Sequence, residues 1–262
     1  MQHYGRMQKG CHHIIMNRFK SSAELKAGAR ERLLGHYGTV IGAELITLVL
    51  SGTASFAVGL LVDITTVMGS IIYYAILFFI SILMGLFTSG TCYLYLKLIC
   101  GRPVNISDLF YGFQFAPDKA ITVQAWFTLL TYASSLPQFI LTYKISMAGT
   151  SVDKITALLL PYSLSLIFSG VVSVMLGLLY SQTFYLLHDF PQYTAQELLK
   201  KSRRLMVHHK GRLFYLYVSF LPLMLLGLFS FGLALLWVVP YMTATQTMFF
   251  LDLIQHNTEA AE

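Results

Sequence analysis

The chain has 262 residues, of which 56% are hydrophobic and 11% are charged, whereas soluble globular proteins carry about 25% charged residues. This composition excludes a disordered chain, a collagen, a coiled coil and an ordinary soluble enzyme, and three cysteines are too few for a disulfide scaffold. The mean hydropathy is +0.64. Because a membrane-spanning helix needs about 20 apolar residues, the sequence predicts an all-α, polytopic transmembrane helical bundle.

The apolar segments predict about six spans. The run 213–253 contains no Lys or Arg and is too long for one span at about 1.5 Å per residue. Its segment 227–232 is the natural break, which gives two spans, and a pair of half-inserted, re-entrant segments is the alternative. The predicted spans are 37–62, 68–98, 120–147, 155–187 and the two parts of 213–253.

Charge counting predicts the orientation of these spans. Sixteen of the 18 Lys and Arg residues fall in the N-terminal tail and in alternate loops, and two fall on the opposite side. Positive charge concentrates on the cytoplasmic side of membrane proteins, so both termini are expected in the cytoplasm. The predicted domains are a flexible basic tail, 1–20, a single six-span domain, 21–253, and a short cytoplasmic tail, 254–262, with Met16 as an alternative start to Met1.

Two capped, basic amphipathic helices are predicted before spans one and five. Thr194 and Glu197 have the spacing of a capping box, and Ser21 and Glu24 repeat it. Basic amphipathic helices beside membrane spans are typical of an anionic leaflet surface, so we interpret the charge as membrane topology and not as nucleic-acid binding. The candidate lipid-headgroup contacts are Arg30, Lys200, Lys201, Arg203 and Arg204.

The two amphipathic helices belong to an internal repeat. Aligning residue 21 with residue 194 gives five identities in 18 positions. A His-x-Gly sequence follows each helix, at His36 and Gly38 and at His209 and Gly211, and it predicts a helix break there, since glycine permits a turn without a Cβ clash. The faces expected to turn toward the bundle or the acyl chains carry Leu25, Ala29 and Leu33 in one helix, and Leu198, Ser202 and Met206 in the other.

Glu44 is the clearest acidic residue inside a span, about two turns into span one. Ionisable residues within membranes are functional candidates by default, so Glu44 is a candidate functional acid. The alternative is a structural carboxylate that bonds to Lys97 or to a tyrosine near the inner ends of the spans. The acids at span ends and in loops are expected to be ordinary, namely Asp63, Asp108, Asp189 and Asp252.

Small residues at four-residue spacing predict how the spans pack. Such stripes let helix backbones approach closely in a membrane, although a groove lined by lipid or water is the alternative. Pro137, Pro222 and Pro240 predict kinks within spans, or hinges around a cavity. The stripes are Ser51, Ser55 and Gly59 in span one, Ser81, Gly85 and Ser89 in span two, and Ser169, Ser173, Gly177 and Ser181 in span four.

No catalytic, cofactor-binding or metal-binding residues are predicted. The pairs His12-His13 and His208-His209 do not place two ligands on one helix face, and no His-x3-His or Cys-x2-Cys motif accompanies them. The sequence contains no Gly-x-Ser-x-Gly, no His-Glu-x-x-His and no phosphate-binding loop.

Several segments resemble a bacterial family of integral membrane proteins known as domain of unknown function 975. The most specific are His209-Lys-Gly-Arg-Leu-Phe214 and the segments 226–241 and 249–253, and Asp108-Leu-Phe-Tyr-Gly-Phe113 also fits. His188-Asp189-Phe190-Pro191 departs from the expected Asp-Asn-Pro-like turn. The resemblance implies a six-span protein of the bacterial cytoplasmic membrane without an established activity. A distant similarity to the membrane domain of some glycerophosphodiester phosphodiesterases implies a lipid setting.

The sequence therefore predicts an integral membrane protein that is not an enzyme and uses no cofactor. It would be an accessory in bacterial envelope or lipid homeostasis, in the cell membrane, with membrane lipids of the anionic inner leaflet as partners. A transporter or channel for a lipid or small amphiphile is the alternative, and an intramembrane enzyme is the third hypothesis. The sequence names no substrate, protein partner or oligomeric state.

Overall fold

The computed structural model describes residues 18–64, 66–147, 149 and 151–259, without the side chains of 146 and 257–259. The greater part of the predicted tail, 1–17, lies outside the described residues. The described backbone forms helices and turns and contains no strand, as predicted. The helices are α1 (Ser22–Leu33), α2 (Tyr37–Leu61), α3 (Val67–Ile99), α4 (Tyr111–Gln114), α5 (Pro117–Met147), α6 (Val152–Tyr180), α7 (Thr183–Asp189), α8 (Ala195–Leu205), α9 (Lys210–Val218), α10 (Leu221–Phe229) and α11 (Leu235–Glu259), with a 3₁₀ turn at Ile106–Phe110.

Four helical segments of the described chain are long and apolar enough to cross a membrane: α2, α3, the α6–α7 pair and the α9–α10 pair. In the most apolar 18-residue stretch of each helix, only a small share is buried within the protein, 6% in α2 and 11% in α3. Such large apolar surfaces require an apolar environment. Helices α5 and α11 are also long, but their Thr, Ser and Gln residues lower their hydropathy. Six spans and their orientation therefore stay a prediction.

The predicted break within 213–253 is confirmed. Helix α10 ends at Phe229 and α11 begins at Leu235, and Phe231 (φ +51°) and Gly232 (φ +89°) turn the chain between them. Helices α10 and α11 therefore form a hairpin. Pro222 lies in the first turn of α10, where proline's missing N–H costs no intrahelical bond, so the chain breaks at this proline. Two prolines lie inside helices as predicted, Pro137 in α5 and Pro240 in α11.

Both capping boxes are present and explain where α1 and α8 begin. Ser21 N donates to Glu24 Oε2 at 2.6 Å, and Glu24 N donates to Ser21 Oγ at 3.3 Å. Thr194 and Glu197 repeat the arrangement, at 2.8 Å and 3.4 Å. The backbone N–H at each cap stabilises the ionised carboxylate, so the pKa of Glu24 and that of Glu197 are both lowered.

The helix breaks also occur at equivalent positions of the internal repeat. In each copy the turning residue lies one position before the repeat histidine. His36 and His209 immediately precede α2 and α9. The left-handed residues are Gly35 (φ +83°) and His208 (φ +67°), which are equivalent positions in the repeat. Gly38 and Gly211 lie inside the first helical turns, where an added Cβ would meet nothing within 4 Å. The turning role that the sequence suggested for those two glycines therefore belongs to Gly35 and His208.

Replacing His208 by glycine should stabilise the protein by about 1 kcal/mol, because a side chain in the left-handed region costs about 1–2 kcal/mol. Gly35→Ala should destabilise by a similar amount for the same reason. Thermal unfolding in mild detergent would measure both. Gly38→Ala and Gly211→Ala are the matched controls and should not destabilise. If either control destabilises as much as Gly35→Ala does, the assignment of the turns is wrong.

The inward faces predicted for α1 and α8 are confirmed as buried, and they lie against the protein interior. They form part of two apolar clusters at the end of the bundle that carries α1 and α8, which we call the basic end. Helix α1 packs mainly on α11, and α8 packs on α5, α6 and α7. The residues concerned, all at most 2% exposed, are Leu25, Ala29, Leu33, Leu198, Ser202 and Met206.

Only one of the three small-residue stripes forms the predicted packing seam along its length. Ser81 Oγ lies 3.2 Å from Thr128 Oγ1 of α5, and a Cβ added to Gly85 would overlap the side chain of Gln124. Ser89 is fully buried. In α2, Ser51 and Ser55 are half-buried and Gly59 is exposed. In α6, Ser169 is buried but Ser173 and Gly177 are exposed, and an added Cβ at Gly177 would meet nothing within 4 Å. Spacing therefore identified which residues share a face, but the stripes of α2 and α6 are covered only in part.

Candidate functional site

The most substantial candidate site is a groove of about 540 Å³ between α8 and the helices α3, α5 and α6, which we call the α5–α8 groove. Helix α8 supplies five of its lining residues, α5 supplies four, α3 two and α6 one. Trp126 of α5 is half exposed within it. The lining residues are Phe78, Ile82, Thr122, Ala125, Trp126, Leu129, Tyr180, Ala195, Gln196, Leu199, Lys200 and Arg203.

The groove is basic at one end and apolar along the rest. Gln196, Lys200 and Arg203 recur at helical spacing, so they share one face of α8, and all three are exposed. In the described part of the chain, no hydrogen bond or ion pair engages Lys200 or Arg203. The far lining consists mainly of apolar and aromatic side chains, including Phe78 and Leu129. This gradient suits a molecule with an anionic head and an apolar tail.

The other predicted lipid contacts on α8 lie away from the groove. The Lys201 ammonium lies 3.4 Å from the centre of the Phe190 ring and 4.6 Å from that of Tyr193, so it holds the preceding loop against α8 by cation–π contacts. Arg204 is exposed and does not line the groove. The structure thus separates Lys200 and Arg203 from Lys201 and Arg204, which the sequence grouped together.

The basic residues of α1 contact the protein itself. Arg30, the repeat equivalent of Arg203, donates to the Tyr241 hydroxyl at 3.4 Å, and this contact raises the pKa of Arg30. Lys26 donates to the Ser219 carbonyl at 2.9 Å and lies 4.1 Å from the centre of the Phe220 ring. Burial lowers the pKa of Lys26. The two repeat copies therefore differ, because only α8 directs basic side chains into a groove.

Glu44 bonds to a tyrosine, as the structural alternative predicted. The Tyr95 hydroxyl donates to Glu44 Oε1 at 3.2 Å. Lys97, the other predicted partner, instead donates to both oxygens of Asp108 at 2.8 Å. Glu44 thus joins α2 to α3, and it does not line the α5–α8 groove.

Asp252 carries a buried ion pair that the sequence analysis missed. Its side chain is only 1% exposed, and Arg212 Nη2 donates to its Oδ2 at 2.9 Å. The Lys20 N–H donates to Oδ1 at 3.2 Å, and Arg212 also donates to the Lys20 carbonyl. Asp252 is therefore not an ordinary span-end acid. It fixes the start of α9, the end of α11 and residues 18–20, which the sequence had assigned to the flexible tail.

His188 is a second residue that the sequence analysis left without a role. Its Nε2 lies 2.8 Å from the Ser89 carbonyl oxygen. Because a carbonyl oxygen only accepts, Nε2 is the donor in this hydrogen bond. The rings of Tyr93, Tyr111 and Phe115 pack around it. These contacts fasten α7 and the α4 segment to α3. The one sequence signal was the departure from the family pattern at 188–191.

The described residues contain no group of three or more His, Cys, Asp or Glu side chains that could hold a metal ion. The pair His12-His13 lies outside the described residues. His208 and His209 belong to the break before α9, and burial lowers the pKa of His209.

Comparison with known proteins places the chain in a family. The family described as protein of unknown function (DUF975) matches residues 16–257. The chain belongs to this family. The match confirms the resemblance seen in the sequence and covers every helix that lines the groove. No curated protein and no solved structure matched the chain.

Proposed function

We propose that this protein is an integral membrane protein of the bacterial cytoplasmic membrane that binds an anionic lipid in the α5–α8 groove. It would be a non-enzymatic accessory in lipid or envelope homeostasis. The observation that carries the proposal is the polarity of the groove. Lys200 and Arg203 mark its basic end, and Trp126 and Leu129 belong to its apolar wall.

The position of the groove supports a lipid as the occupant. Helix α5 runs beside α3 over most of its length, as the contacts of Gln124 with Gly85 and of Phe139 with Tyr74 show. The groove follows this pair away from α8. With the basic end in the cytoplasm, as the charge distribution predicts, Lys200 and Arg203 lie at the depth of lipid phosphates and the apolar wall lies at the depth of acyl chains.

The Lys200→Gln/Arg203→Gln double variant should lose most specific lipid binding. Each basic residue near an anionic surface contributes about 1 kcal/mol, so two should change the affinity by about thirtyfold. Native mass spectrometry of the purified full chain would measure binding, with phosphatidylglycerol as the probe and phosphatidylcholine as the neutral comparison.

The matched control is Arg204→Gln/Lys210→Gln, which removes the same charge from exposed residues outside the groove. It should retain binding. Ala125→Phe fills the groove without changing charge and should also abolish binding. If the control pair weakens binding as much as the groove pair does, general surface charge explains the result and the proposed site is wrong.

A transporter of the same kind of lipid is the second candidate, and the apolar lining beyond the basic end favours it. Along α5 the lining runs from Thr122 to Leu129, about 10 Å at about 1.5 Å per residue, and it continues onto Phe78 and Ile82 of α3. Movement of fluorescent phosphatidylglycerol between leaflets of proteoliposomes would distinguish transport from binding alone. An intramembrane enzyme is the third hypothesis, and we propose no catalytic residue for it.

A further inference from the structure

The α10–α11 hairpin ends in an apolar tip, the segment 228–233. Phe231 is 100% exposed, and Leu228, Phe229 and Leu233 are also largely exposed. Ser230 is the only polar side chain in this tip. The other turns at this end of the bundle carry polar or charged residues, such as Asp63 after α2 and Asp153 at the start of α6. The hairpin tip alone among these turns has the composition of a lipid-embedded segment.

The backbone of the tip satisfies its own hydrogen-bond donors. Every N–H from Ser230 to Trp237 donates to an acceptor within the hairpin. Gly232 N donates to the Gly227 carbonyl at 2.8 Å, and Ala234 N donates to Ser230 Oγ at 2.9 Å. The Ser230 hydroxyl in turn donates to the Gly227 carbonyl. A turn inside hydrocarbon must pair its polar N–H and C=O groups without water, and the N–H groups of the tip meet the donor part of that condition.

The two arms of the hairpin are also short. The Arg212–Asp252 ion pair holds both arms at one level at the basic end. The arm from Arg212 to Phe229 is about 26 Å long, and so is the arm from Asp252 back to Leu235, at about 1.5 Å per residue. The hydrocarbon core of a bilayer is about 30 Å thick. By the same measure α2 is about 37 Å long. The α9–α10 pair counted from Lys210 has just the length of a crossing, but the two arms measured from the ion pair are shorter than the core is thick.

We propose that the α10–α11 hairpin is re-entrant and that its tip contacts the acyl chains of the far leaflet. Both arms enter from the basic end, and residues 228–233 stop short of the opposite aqueous surface. The complete crossings are then α2, α3, α5 and the α6–α7 pair. An even number of crossings keeps both termini on one side. The proposal concerns a different surface from the α5–α8 groove and does not depend on lipid binding there.

Tryptophan fluorescence would test the position of the tip. The background is the full chain with both native tryptophans replaced, Trp126→Phe and Trp237→Phe. Phe231→Trp and Ile64→Trp are then introduced separately into this background. Vesicles are prepared with either ordinary or chain-brominated phosphatidylcholine, and acrylamide is the aqueous quencher. Trp at 231 should be quenched several-fold more by brominated chains than by acrylamide. Trp at 64, in a distal turn, should show the opposite preference.

Leu48→Trp is the standard for a folded, lipid-exposed position, since Leu48 is exposed in the middle of α2. A chain that fails to insert would expose Trp at 48 to acrylamide, so a folding failure is recognised independently of the tip. With Trp at 48 protected, strong acrylamide quenching at 231 would overturn the proposal and favour two full spans. Protection at 231 equal to that at 48 supports the re-entrant hairpin.

Discussion

Asp252→Ala should destabilise the protein by about 3 kcal/mol, because removing one partner of a buried ion pair leaves the other charge uncompensated. Arg212 would keep its bond to the Lys20 carbonyl but lose the carboxylate at 2.9 Å. The Lys20 N–H would lose its acceptor as well. The effect should spread to α1, since residues 18–20 lead directly into it.

Thermal unfolding in detergent at neutral pH would measure this effect. Asp153→Ala removes an exposed acid from the first turn of α6 and should cost less than about 1 kcal/mol. The double variant Asp252→Ala/Arg212→Met should lose less free energy of unfolding than the two single variants lose in sum, because neither charge is left without its partner. Strict additivity would show that Arg212 does not depend on Asp252 for its stability in the fold.

Gly90→Ala should destabilise the protein by about 3 kcal/mol, which is the upper end of the usual cost of forcing extra atoms into a well-packed interior. An added Cβ would overlap the carbonyl of Leu109 in the 3₁₀ turn. That obstacle is backbone, so no flexible side chain can move aside. Gly112→Ala should have a similar effect, since its Cβ would meet the carbonyl of Leu86. At these two glycines the segment after α3 packs directly against α3, beside the Lys97–Asp108 ion pair.

The same unfolding measurement applies, with Gly170→Ala as the control. Gly170 lies inside α6, and an added Cβ there would meet nothing within 4 Å. That change should be neutral or stabilising by up to about 1 kcal/mol, since alanine favours helix over glycine. A Gly90→Ala variant as stable as wild type would mean that α3 and the turn do not approach this closely.

The sequence by itself determined the features that depend on neighbouring residues and on composition. Both capping boxes form where Ser21 and Thr194 predict them, because a cap involves residues only three positions apart. The break at 227–232 follows from the maximum length of one helical crossing. The inward faces of α1 and α8 follow from helical periodicity, which fixes which side chains share a face.

Only the tertiary structure decided which partner each face and charge finds. Lys97 pairs with Asp108 although the sequence also offered Glu44, and Asp252 pairs with Arg212, 40 residues away. Lys200 and Lys201 are adjacent in sequence, yet one lines the groove and the other lies over aromatic rings. The physical reason is that spacing along a helix gives the direction of a side chain, whereas its partner depends on how distant helices are placed against one another.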